Sequence, residues 1–178
     1  MARKTQVKFN AKKFGNDLLS QIVREQNKRL VVYATEEMQR IGNDISVADT
    51  KNNLDRTGNL LDSLCYAVFY NGKRQKIGYY RSETAIEDSH LHEYSNPKGP
   101  SVNGHFLAKQ FITSYKPKDS GWEVFFAVLA PYWGYWEKGF THPISNQFYQ
   151  WQVMTHHFDV VKAELEPAKV TFETYMPK

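Results

Sequence analysis

Two histidine tracts are the first places in this 178-residue chain where side-chain chemistry could gather. His90-Leu91-His92-Glu93 offers two imidazoles and a carboxylate, a donor set that suits zinc. No H-E-x-x-H spacing occurs, and in a loop nothing would fix these side chains around one point, so no metal is expected there. His156-His157 falls in a stretch with helical spacing, where adjacent residues point about 100° apart and cannot easily share one ion. His157 is expected as a partly buried polar neighbour of the Phe158 stripe, and His156 as a solvent-facing residue. Cys65 is the only cysteine, which excludes an intrachain disulfide and thiolate metal clusters. Its neighbours Leu64, Tyr66 and Ala67 predict an inert, buried thiol. Neither a G-x-x-x-x-G-K-[ST] loop nor a G-x-G-x-x-G turn is present to cradle phosphates. The acidic pairs Glu36-Glu37 and Glu87-Asp88 read as ordinary surface in a chain with 19 acids. These residues together predict a protein that is not an enzyme and carries no cofactor or metal.

The densest feature is aromatic. Tyr132, Trp133, Tyr135 and Trp136 place four large rings in five positions, and a helix would spread them around its axis. Some must then face a groove, a ligand or another chain. Three roles are open to them: a subunit or partner interface, core and edge packing, or stacking on bases. The interface is the leading expectation, because Trp and Tyr bury much area at small entropic cost. Stacking lacks a flanking basic patch, since Glu137 offsets Lys138.

Charge is unevenly distributed. The chain carries 23 basic and 19 acidic side chains, yet Arg3, Lys4, Lys8, Lys12 and Lys13 stand in residues 1–13 without an acid. The remaining body is therefore nearly neutral, and the basic character belongs to an arm that could reach DNA or a partner. The longest apolar run, residues 124–130, is far below the roughly 18 residues of a membrane span. No apolar segment follows the basic start as a secretory signal requires. A soluble protein made in the cytoplasm, with no membrane partner, is the expectation.

These residues need elements to position them. Apolar residues at 14, 18, 22, 31, 34, 38, 41 and 45 predict a long helix over 14–45, either covering the core or also packing on neighbouring subunits. Residues 43–53 read as a polar loop. Thr57 is placed to cap a short helix through Leu60, Leu61 and Leu64. Two strands, 65–70 and 73–80, flank Asn71-Gly72, the signature of a two-residue hairpin turn. Residues 81–104 form a long inserted loop, and Asn103 can cap a helix through Phe106, Leu107, Phe111 and Ile112. Residues 122–130 have few polar positions and predict a strand buried on both faces at the centre of the sheet. A short helix follows Pro131 and stops at Gly139; a final helix runs from Ser145 to before Pro167; a terminal strand spans 170–176. The expected fold is α+β, one domain over 14–178 with a small antiparallel sheet and a helix from each end packed on it.

Two segments resemble a known family. Asp55-Arg56-Thr57-Gly58-Asn59-Leu60-Leu61-Asp62-Ser63-Leu64 is similar to the T-G-N-L-x-x-S-[LI] element of tail-completion, or head–tail joining, proteins of long-tailed bacteriophages. Ala130-Pro131-Tyr132-Trp133-Gly134-Tyr135-Trp136-Glu137-Lys138-Gly139 resembles the same family's alanine-proline-tyrosine stretch followed by Glu-x-Gly. The order of elements matches across residues 14–165. The chain departs from the pattern in the 81–104 insertion, and in Phe140-Thr141-His142-Pro143 where the family has a basic Gly-Thr-Arg stretch. The resemblance implies a virion protein that closes into a homo-oligomeric ring in the neck. That ring would join portal and adaptor proteins to the tail tube or tail terminator, with Thr57, Gly58 and Asn59 setting a turn and helix cap, the aromatic block at a subunit or partner contact and the arm near a neighbour or channel DNA. The alternative is a small nucleic-acid-binding protein using the basic arm and exposed aromatics.

Overall fold

The computed structural model describes residues 11–52, 59–81, 103–130, 133–141, 144–166 and 168–174; the side chains of 11, 48–52, 59, 135, 136, 140 and 172–174 are excepted. The chain opens with helix α1 (Ala11–Asn52), 42 residues long and therefore about 63 Å at 1.5 Å per residue. It extends the expected helix at both ends. Lys12 and Lys13, expected in the arm, form its first turn, while residues 1–10 lie outside the described residues. The polar stretch from Asn43, expected as a loop, is helical as far as Asn52; Asn43 and Asp44 are exposed while Ile45 between them and the next turn is buried.

A one-turn helix, α2 (Asn59–Asp62), leads into strands β1 (Leu64–Tyr70) and β2 (Lys73–Tyr79). Their turn is built by Asn71 and Gly72, with φ of 48° and 72°, the left-handed pair that a tight hairpin demands. Helix α3 (Gly104–Ser114) starts at Asn103, whose side chain accepts the Phe106 amide as expected. Then come β3 (Trp122–Val128), the short helix α4 (Trp133–Lys138), a small ladder of β4 (Phe140–Thr141) with β5 (Phe148–Tyr149), helix α5 (Val153–Glu164) and β6 (Lys169–Thr174).

The four-stranded sheet has the order β2-β1-β3-β6. The mixed α and β content agrees with the sequence. The sheet is antiparallel through β2, β1 and β3, but β6 joins β3 in parallel, so it is mixed rather than wholly antiparallel. The physical reason is α5, which carries the chain back between the two strands, as parallel neighbours require. The last helix also begins later than its apolar spacing suggested. Phe148 belongs to β5, where Phe140 pairs with Tyr149 and Thr141 with Phe148.

Strand alternation sorts the core into two layers. Leu64, Tyr66 and Val68 of β1, with Val124, Phe126 and Val128 of β3, meet Leu30, Ala34, Met38, Ile41 and Ile45 of α1. On the other face Cys65, Ala67, Phe69, Phe125 and Ala127 meet Ala108 and Ile112 of α3. β1 and β3 therefore lie inside the sheet and between helical layers, which is why their sequences carry so few polar residues. Cys65 is fully buried, and burial drives its thiol well above the usual range; it is the inert thiol the sequence predicts.

Candidate assembly surface

Only part of α1 lies on the body. Burial begins in earnest at Leu30, and residues 12–29 are exposed except for the half-covered Val23, Gln26 and Asn27. Phe14, Leu18, Leu19 and Ile22 keep 57%, 46%, 58% and 57% of their surface exposed. Phe14, Leu18 and Ile22 recur every four residues, and Leu19 stands three before Ile22, so the four line one broad stripe. An amphipathic helix with an uncovered stripe is stable in water mainly when something covers it.

The direction of this overhang follows from contacts farther along α1. The hydroxyls of Thr35 and Tyr66 share a hydrogen bond of 2.7 Å, and the Tyr80 hydroxyl donates to Asn43 at 3.3 Å. Tyr80 in turn donates its amide to the Leu64 carbonyl, at the start of β1. Towards its N-terminus α1 thus runs from the Leu64 end of the sheet to the hairpin-turn end and continues past it.

Polar contacts lock the seated half of α1 to α5. The Tyr33 hydroxyl donates to Glu164 at 2.6 Å. One ring nitrogen of His157 hydrogen-bonds Glu37 and the other lies 3.0 Å from Asp44. Arg40 donates to the second Glu37 oxygen at 3.0 Å. Burial works against a charged His157, but the bonds to Glu37 and Asp44 outweigh it and raise its pKa. Burial likewise opposes ionised Glu37, and His157 with Arg40 overcomes it, holding that carboxyl below its ordinary range. Burial, and then the bond to Glu164, push Tyr33 well above the usual phenol range. With both ring nitrogens engaged, His157 bridges two carboxylates of α1. His156 is exposed, as expected. Among the described residues no group of three or more His, Cys, Asp or Glu side chains is arranged to hold a metal; His90, His92 and Glu93 lie outside them.

The second resembling segment is built around two anchors. Trp133 is fully buried and belongs to the core layer on the α1 side of the sheet, which corrects its expected place at an interface: the first turn of α4 directs this ring inward. Tyr132 lies outside the described residues, as do the side chains of Tyr135 and Trp136. Glu137, expected merely to offset Lys138, is buried and accepts the Met154 amide at 2.6 Å, the Thr155 amide at 3.4 Å and the Thr155 hydroxyl at 3.2 Å. It caps α5 from a distance, satisfying amides that have no partner within the helix. Burial raises its pKa despite these donors. Gly139 ends the segment at φ 84°, and a Cβ there would meet the Phe148 ring at 2.4 Å.

The first segment is joined to the second through Ser63. Its hydroxyl donates to the Leu60 carbonyl at 2.7 Å and accepts the amides of Leu129 and Ala130 at 3.1 and 2.9 Å. One donor and two lone pairs are a hydroxyl's full capacity. The capping expectation for Thr57, and that for Gly58, falls outside the described residues, as does the side chain of Asn59. Glu123 forms another buried knot. It accepts the Lys118 amide, the Tyr115 and Thr171 hydroxyls and the Lys169 ammonium, at 2.6–3.1 Å. Burial opposes its ionisation, and these donors hold its pKa below the ordinary value. Nothing in the local sequence of Ser63, Glu123 or Glu137 signals these roles, because the partners that complete each knot, Leu129 and Ala130, Lys169 and Thr171, and Met154 and Thr155, stand far along the chain. Comparison with family models, curated proteins and solved structures gave no match to this chain.

Proposed function

We propose that this chain is a structural subunit of a phage neck, a tail-completion or head–tail connector protein. It would close into a homo-oligomeric ring between the portal and adaptor side and the tail tube or tail terminator of the virion. The observation that carries the reading is the overhang of α1, with Phe14, Leu18, Leu19 and Ile22 each about half exposed along one stripe. A subunit with a protruding apolar helix and a compact body has the two unlike surfaces that a heterologous, ring-closing contact needs. The element order that carries the resemblance, and the Ser63 link between its two segments, support the same reading.

The energetics fit assembly on a template. Fully burying such a side chain contributes about 1.5–3 kcal/mol, so covering these four roughly half-exposed residues is worth about 4 kcal/mol. Association costs about 4–15 kcal/mol in lost freedom. One contact of this kind is marginal, while closure and a neighbouring ring add further contacts.

The test is the particle mass of the full chain, alone and with its portal-side neighbour, for the natural protein and for Phe14→Ser/Leu18→Ser/Ile22→Ser. The natural chain is expected to form rings or a complex. The variant is expected to remain a monomer with an unchanged unfolding midpoint. A natural chain that stays monomeric under both conditions, or a variant that assembles equally well, refutes the reading.

A further inference from the structure

The near-neutral body hides a polarised one. The hairpin turn and first half of β2 carry Lys73, Arg74 and Lys76, all exposed. The loop between α3 and β3 carries Lys116 and Lys118, also exposed. These segments are some 40 positions apart in sequence but touch in the fold. The Asn71 amide donates to the Gly121 carbonyl at 2.9 Å, the Gly121 amide donates to the Asn71 side chain at 2.8 Å, and the Lys118 carbonyl lies against Gly72. None of the five cations is ion-paired among the described residues, and Asp119 is the one acid on either segment. Between the segments, at the mouth of the hairpin, Tyr70 and Trp122 pack against each other with centroids 4.5 Å apart, both half-buried.

The α1 overhang leaves the sheet at this same end. It carries Lys12, Lys13, Arg24, Lys28 and Arg29 against Asp17 and Glu25, with Lys28 paired to Glu25. The positive surface of the body therefore continues onto the stalk.

We propose that the hairpin end binds the phosphate backbone of duplex nucleic acid without reading its sequence. Lysine on an edge strand also discourages sheet-to-sheet pairing, which accounts for Lys73 and Lys76 but leaves Lys116 and Lys118, on a loop, without a reason. An acidic protein partner fits less well. Protein interfaces deplete lysine and gather around an apolar centre, whereas four of these five cations are lysine and the one aromatic pair is spent on itself. Phosphate contacts use such flexible point charges. The inference does not rest on the ring reading, because a monomer presents this end equally.

The experiment measures binding of the full chain to a labelled mixed-sequence duplex of about 25 base pairs between about 50 and 200 mM salt. Particle mass is recorded in the same samples, so a failure to assemble is read separately from a failure to bind. Each phosphate contact adds about 0.9 to the slope of log affinity against log salt. Lys73→Gln/Arg74→Gln and Lys116→Gln/Lys118→Gln are each expected to lower that slope by about 2, equally for unrelated sequences. Lys138→Gln/Lys162→Gln, which removes the same charge from α4 and α5, is expected to leave it unchanged. Circular dichroism confirms that each variant is folded. Natural slopes in both hairpin-end variants overturn the proposal. So does a natural chain that ignores the duplex but binds polyglutamate, with that binding lost in the same variants.

Discussion

Replacing Ser63 by alanine removes one oxygen and strands two amides. The natural hydroxyl accepts from Leu129 at 3.1 Å and Ala130 at 2.9 Å; Ser63 and Ala130 are completely buried and Leu129 almost so, so water cannot replace it without opening the core. The Leu60 carbonyl suffers less, because the Ser63 amide also donates to it at 3.2 Å. A buried donor left unsatisfied costs about 1–3 kcal/mol, so two cost about 2–6 kcal/mol. That is a large share of the roughly 5–15 kcal/mol that hold a domain of this kind together. Urea unfolding followed by circular dichroism should show a lower midpoint with an unchanged slope, the mark of lost stability in an unaltered fold. Ser114→Ala is the comparison, since that exposed hydroxyl makes a single bond to the Phe111 carbonyl, and a change within about 0.5 kcal/mol is expected for it. A Ser63→Ala loss below about 1 kcal/mol would refute the inference that this hydroxyl satisfies both amides.

Trp133→Ala should destabilise the folded chain by about 3–5 kcal/mol, the cost of emptying a buried aromatic site, as read in the same unfolding assay; a loss of assembly without loss of stability would return this ring to an interface. The α1–α5 clasp predicts a dependence on pH. Because His157 has a raised pKa, its contribution is complete below the unfolded value near 6.5 and is lost as pH rises through the folded one. Because Glu37 has a lowered pKa, its contribution is present above about 4.5 and disappears as pH falls through its folded value. The clasp is strongest between those limits, and unfolding midpoints should decline above neutrality. His157→Gln should flatten that decline, and an identical pH profile in the variant would show that His157 is not its source.

Local rules were legible wherever one segment carried both halves of an interaction. Asn71-Gly72 announces its turn, Asn103 its cap and residues 123–130 their double burial, each within a few positions. The sequence misleads where polarity has two causes. Asn43 and Asp44 look like loop residues, yet they are the outward side of a helix, and Asp44 is polar because His157 needs it. Trp133 shows the converse limit: a run of rings cannot say which one turns inward until the core that receives it is assembled. Ser63, Glu123 and Glu137 were silent because a serine or glutamate has the same local signature on the surface as at a buried knot. The basic pole was concealed for a related reason: a chain-wide charge balance discards position, and its two halves meet only when the loop before β3 folds against the hairpin.

The α1 overhang has a consequence for how this chain can vary. Each residue added to or removed from a helix turns everything beyond it by about 100° and shifts it by about 1.5 Å. One inserted residue between Val23 and Leu30 would swing Phe14, Leu18 and Ile22 to another side while leaving the seated half of the helix untouched. Seven inserted residues would turn the stripe by only about 20°, keeping its bearing while lengthening its reach by about 10 Å. Related chains that share a docking partner should therefore differ in overhang length by whole heptads, as cogs on one shaft must keep phase even when the shaft is lengthened.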